Sequence, residues 1–136
     1  MRHAALLSFC LPALCATPPA PPVEILAMHL KRLSALAGLP DRIACRDVDM
    51  AMALKREGIS IDPRSPVAWA ATAAQARAFR AEGRFVVCAD PALLPEGAAL
   101  VLRLQGGQLR MDLHRAHAVA SGLPLSDTLL KGVRLL

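Results

Sequence analysis

The 136-residue chain is poor in rings, with no tyrosine, one tryptophan and three phenylalanines. That scarcity argues against single-stranded nucleic-acid binding, which relies on aromatic stacking platforms. Charge is also sparse at 20%, and abundant apolar side chains favour collapse over disorder. No charge-free apolar run reaches the roughly 18–20 residues needed to span a bilayer. Enzyme motifs are missing as well. No G-x-G-x-x-G, P-loop or G-x-S-x-G elbow occurs, and Gly106-Gly107 reads as a hairpin turn. What the chain has instead is small and aliphatic: 26 alanines and 23 leucines account for most of its 54% hydrophobic content. Its +5 charge comes from 13 arginines and 3 lysines scattered among 11 acids.

The beginning reads as an export signal. Met1-Arg2-His3 is a short basic start, and an apolar run follows from Ala4 to Ala16, closing on small residues. Residues 17–22, Thr17-Pro18-Pro19-Ala20-Pro21-Pro22, cannot continue a helix and form an extended spacer. Removing 1–16 takes away Cys10 and Cys15, leaving Cys45 and Cys88 in a single domain over 23–136. One disulfide is then the most that an exported chain could form, so the fold must rest on its aliphatic core.

Helical periodicity is expected over Glu24–Gly38, with Leu26, Leu30, Leu33 and Ala37 on one face. A strand at Ile43-Ala44-Cys45 precedes a helix over Val48–Arg56, with Asp47 as its cap. Further strands are expected at Ile59–Ile61 and Val67–Trp69, then a helix over Thr72–Ala81 and a buried strand at Phe85–Ala89. Leu100, Leu102 and Leu104 alternate with polar or small partners, as do Leu109, Met111 and Leu113 across Gly106-Gly107. That pattern is a β-hairpin with one core face and one wet face. Pairing Gln105 with Gln108 sets Arg103 opposite Arg110, with Asp112 diagonal to Arg103 and able to screen the like charges. The remainder, Arg115–Ala120 and a helix capped by Ser126 running through Leu129, Leu130 and Val133, is helical in character. The expected fold is α/β: a small three-layer sandwich with a mostly parallel sheet and an antiparallel C-terminal hairpin followed by short helices.

The segment Leu109-Arg110-Met111-Asp112-Leu113-His114, then Gly122-Leu123, Leu125-Ser126 and Leu129-Leu130, resembles the closing signature of the YfiR-like periplasmic proteins. Their pattern is V-R-F-E-I-N, a short helix, G-L-x-L-S and a final helix opening x-x-L-L. The match runs without a gap from Leu109 to Leu136, and Gly83–Asp90 is similar to the family's G-K-P-V-L-T-V-S-D strand. Two departures stand out. The family's aromatic F-x-x-F-x-x-W-P run is here Leu33–Pro40 without a ring, and the family asparagine is His114. The resemblance implies a non-catalytic periplasmic regulator. It would bind and restrain a membrane-bound sensor protein such as a diguanylate cyclase, and so modulate cyclic-di-GMP and biofilm formation. The cysteines Cys45 and Cys88 suggest a redox role by the same resemblance.

The residues themselves leave that pair open. Separated by one strand, the two Cα atoms would lie about 9–10 Å apart at ~4.8 Å per strand. A disulfide needs ~4.4–6.8 Å and hence adjacent strands. His114 and His117, three apart, are too few for a metal site. No catalytic residue, cofactor or metal is expected, nor nucleic acid or stable membrane insertion, while a homodimer stays open. Two partner surfaces suggest themselves: the leucine stripe Leu26, Leu30, Leu33 and Leu36, and the wet hairpin face with Arg103 and Arg110. A second reading, a small-ligand binding module, would place a pocket at the strand carboxyl ends near Arg46, Ala70 and Asp90.

Overall fold

Helix boundaries follow local chemistry. In the computed structural model, which describes residues 22–136, α1 (Val23–Ala37) stops at Gly38, whose φ of 69° is a left-handed conformation suited to glycine. The expected signal peptide and most of the proline-rich spacer lie outside the described residues. Chain order continues with β1 (Arg42–Cys45), α2 (Val48–Arg56), β2 (Ser60–Ile61), β3 (Val67–Trp69), α3 (Ala73–Ala81) and β4 (Phe85–Cys88). A 3-10 turn at Pro91–Leu93 leads to β5 (Leu100–Gln105), β6 (Gln108–Leu113), α4 (Arg115–Ser121), α5 (Asp127–Lys131) and β7 (Arg134–Leu135). Side chains begin the helices: Asp47 accepts from the Met50 N–H at 3.1 Å, Thr72 from Gln75 at 3.2 Å and Ser126 from Leu129 at 3.2 Å.

The seven strands form one sheet in the order β2-β1-β3-β4-β5-β6-β7. Neighbours run parallel except at the β5–β6 hairpin. Helices on both faces make the α/β sandwich that the alternation of elements implies. The hairpin register has Gln105 opposite Gln108 and Arg103 opposite Arg110.

Strand alternation sends successive side chains to opposite faces, and the two faces carry two separate cores. On the first, Ile43, Trp69, Phe85, Val87, Leu100, Leu102 and Leu113 pack with Leu26, Leu30 and Leu33 of α1, Met50 and Leu54 of α2, and Leu129 of α5. On the second, Ala44, Ala68, Val86, Cys88 and Val101 receive Ala76 and Phe79 of α3 and Leu93. Small residues dominate this second layer and let α3 lie close to the strands. The rings of Trp69, Phe79 and Phe85 are all buried, so the few aromatics of the domain are spent on its interior.

This arrangement corrects one expectation. The leucine stripe of α1 is no docking surface, because Leu26, Leu30 and Leu33 are at most 8% exposed and Leu36 alone of the four, at 69%, faces outward. The cause is tertiary: α1 packs against α2 and α5 and roofs the first core. The C-terminus differs from its expectation too. Instead of continuing through Val133, α5 ends at Lys131, and after Gly132 the chain extends beside β6, with Asp112 opposite Arg134 and Leu113 opposite Leu135.

Candidate functional site

The carboxyl ends of the central strands are built on repeated local chemistry. β1 and β4 both end in Cys-x-Asp, as Cys45-Arg46-Asp47 and Cys88-Ala89-Asp90. Each thiol donates to the aspartate carbonyl two residues on, at 3.3 and 3.4 Å, while each carboxylate accepts a backbone N–H of the following turn. Arg46 lies over the Phe79 ring at 4.4 Å and pairs with Glu82 at 3.5 Å. Ala70 is buried. The side chains named for a crevice at this sheet end are therefore engaged with their own chain.

The two cysteines are free and cannot meet. β3 lies between their strands, and Cys45 shares a row with Trp69 and Val87. Cys88 is one residue further along and so projects from the opposite face, into the α3 core, while Cys45 packs against the α1 core. Of the two arrangements the sequence left open for Cys45 and Cys88, this is the one with a strand between them, which denies a disulfide the adjacent strands it needs. Burial, the largest cause, raises both thiols, and Cys88 is pushed up to about 12. A thiol held protonated is a poor nucleophile, and each of the two side chains packs against the core on its own face of the sheet.

The hairpin's wet face is different. Arg103 and Arg110 stand side by side on it, and β7 adds Arg134. Asp112, with its side chain only 3% exposed, sits between two of these arginines. Arg134 grips it in bidentate fashion, Nε to Oδ1 and Nη2 to Oδ2, both at 3.1 Å. Arg103 donates from Nη2 to Oδ1 at 3.2 Å, and its Nε lies 2.9 Å from Oδ2 without hydrogen-bond alignment. The like-charge pair is thus relieved by the diagonal carboxylate. Arg110 turns away and donates to Gln108 at 3.4 Å. Together with Lys131 these residues line a groove of about 300 Å³ with four cations and one carboxylate. Lys131 and Arg134 are functional candidates that sequence reasoning missed. Their signal was faint, because Arg134 joins the groove only through the unexpected strand β7.

β7 also has a second side. Leu135 lines an apolar cleft of about 310 Å³ with Leu113, Val119, Leu123, Leu125 and Leu130. Val119 is 74% exposed there, so the charged groove and an apolar corner adjoin across two residues of one strand.

Among the described residues no cluster of three His, Cys, Asp or Glu side chains occurs, and His114 and His117 sit as a pair. Their rings stack, with centroids 3.7 Å apart. His114 caps α4, its Nδ1 accepting the His117 backbone N–H at 3.1 Å. Burial, then the nearby His117 and Arg80, lower its pKa.

No known family model matches the chain, and no curated protein matches it. Among solved structures it is similar to a conserved domain protein from Vibrio cholerae O1 biovar El Tor, with a TM-score of 0.59 at 13% identity. The likeness covers 84% of this chain and 60% of the Vibrio chain, so the chain spans less than two thirds of that neighbour's length. At this identity the match speaks to the fold alone, and it agrees with the α/β architecture described above.

Proposed function

We propose that this protein is a non-catalytic periplasmic regulator that binds and restrains a membrane-bound sensor, a diguanylate cyclase being the leading candidate. The observation that carries the reading is the open basic groove of β5, β6 and β7, with Arg110, Lys131 and Arg134 around a buried Asp112. It coincides with the segment, Leu109–Leu136, whose sequence resembles the YfiR-like proteins.

Energetics constrain how such a surface works. Exposed ion pairs contribute about 0.2–1 kcal/mol each, whereas moving a sensor from mostly active to mostly inactive takes about 5.5 kcal/mol of differential binding. Charge in the groove therefore sets orientation and encounter rate, and the adjoining apolar corner of Val119, Leu130 and Leu135 supplies burial. The partner that fits is a sensor surface with acidic side chains beside an apolar edge. Binding one conformation of it more tightly shifts the population toward the inactive cyclase.

Capture of membrane sensors by the purified protein, paired with cyclic-di-GMP measurement in a deletion strain, tests the reading. A captured cyclase, raised cyclic-di-GMP on deletion, and roughly tenfold weaker capture by Arg110→Glu combined with Lys131→Glu are the expected results. Absence of any captured sensor together with unchanged cyclic-di-GMP would sink the reading.

A further inference from the structure

A second cleft, of about 430 Å³, lies between α3, the loop before β5 and one side of α4. Its volume is in the range of small-molecule sites, roughly 300–1,000 Å³. Arg77, Arg80 and Arg84 contribute to its wall, at i, i+3 and i+7 along α3 and just beyond it, and His117 faces them. The acids are outnumbered. Glu96 is taken by Arg77 at 2.8 Å, and Glu82 is shared between Arg84 and Arg46 at 3.5 Å each. Arg80 has no acidic partner within 4 Å among the described residues.

The cationic groups are also held in place. Gly97, at φ 118°, leaves room for the Arg80 stem: a Cβ there would lie 2.5 Å from Arg80 Cδ and 2.8 Å from its Cβ. Any side chain at 97 would displace Arg80. Arg84 donates to the Ser65 carbonyl at 3.4 Å, and its side chain is 16% exposed. His117 Nδ1 lies 2.9 Å from the Ala98 carbonyl, an acceptor that fixes the proton on Nδ1 and leaves Nε2 as the ring's acceptor, able to take a hydrogen bond from a phosphate hydroxyl.

We propose that this cleft binds a small phosphate-bearing anion, with Arg80 and Arg84 as its principal contacts and His117 as a third. Guanidinium groups match the planar, paired oxygens of phosphate, and prior anchoring reduces the ordering cost of binding. The site lies on different elements from the groove proposed for the sensor and stands independently of that reading. Should both hold, a phosphorylated metabolite could report to the regulator without occupying its sensor surface.

Titrations of the purified protein with inorganic phosphate, glycerol 3-phosphate and citrate, followed by heteronuclear NMR and calorimetry, test the proposal. Saturable binding of the phosphate compounds that shifts the His117 ring signals is expected. Arg80→Gln should weaken it about tenfold or more, in line with loss of a charge-assisted contact. Glu96→Gln should strengthen it severalfold by freeing Arg77, and this opposite sign decides the matter if Arg80→Gln fails to fold. Arg56→Gln, on the exposed part of α2, is the control and should leave binding unchanged. No saturable phosphate binding, equal binding by the Arg80 and Glu96 variants, or tighter binding of citrate than of either phosphate would overturn it.

Discussion

The two faces of the sheet were built from the same aliphatic sequence and put to different uses. One is roofed by α1, α2 and α5, and its leucines disappear into the interior. The other is covered by α3 over its central strands, with alanines below, and beyond α3 it carries Arg103, Arg110, Asp112 and Arg134. Apolar periodicity in α1 and charge alternation in the hairpin both looked like surfaces in the sequence. One became core because a partner helix lay over it. The other stayed open because its arginines found a local carboxylate, Asp112, without a covering helix.

The sharpest way to break this contrast is to cut into the roofed face. Leu30→Ala should destabilise the fold by about 2–5 kcal/mol, while Leu36→Ala on the same helix should stay within about 0.5 kcal/mol. Equal effects in urea denaturation would mean that α1 does not roof the core. On the open face, Asp112→Asn leaves two arginines without their carboxylate. A fully buried pair would lose about 3–5 kcal/mol, and the exposure of Arg134 reduces the expected cost to about 2 kcal/mol. A loss below about 0.5 kcal/mol in the same assay would reduce the network to ordinary surface charge.

The smallest effect expected is the most specific. Protonating His114 places a hydrogen on Nδ1 and removes the acceptor that caps α4. Its folded pKa lies below the ordinary 6.5, so the unfolded chain binds the proton more readily. Stability from this group is therefore present above about 6.5 and is lost as pH falls from there through the lower folded value. His29, lowered by burial and then by Arg32, contributes with the same sign. His114→Ala should cost about 1 kcal/mol at neutral pH, whereas His114→Asn keeps a cap and flattens the acid slope relative to the parent. Thermal melts between pH 5 and pH 8 (roughly the range around the unfolded histidine value) distinguish the two. An unchanged slope in His114→Asn would remove the cap from the pH response.

Much of the fold is legible in the sequence. The alternation around Gly106-Gly107 fixed the hairpin and its register, down to Arg103 beside Arg110. The caps Asp47 and Ser126, and glycines such as Gly38, located helix ends because they act on their own backbone. The sites were less legible. Arg77, Arg80 and Arg84 carried a visible helical spacing, yet their cleft depends on α4 and the loop at Glu96 coming to meet them. His114 acts on its own backbone, capping α4 through Nδ1, a role that its place just before a helix start made legible. Arg134 gave only a faint signal, since a two-residue strand has no period to read.

By itself the sequence determined most of the alternating α/β elements, the helix ends marked by caps and glycines, and the polarity of the hairpin's two faces, because these follow from short-range periodicity and capping. Tertiary structure decided which faces were covered, that Cys45 and Cys88 point to opposite sides of the sheet, and that β7 closes the groove around Asp112. Those outcomes depend on the register and order of strands distant in the chain, and no local pattern of side chains encodes them.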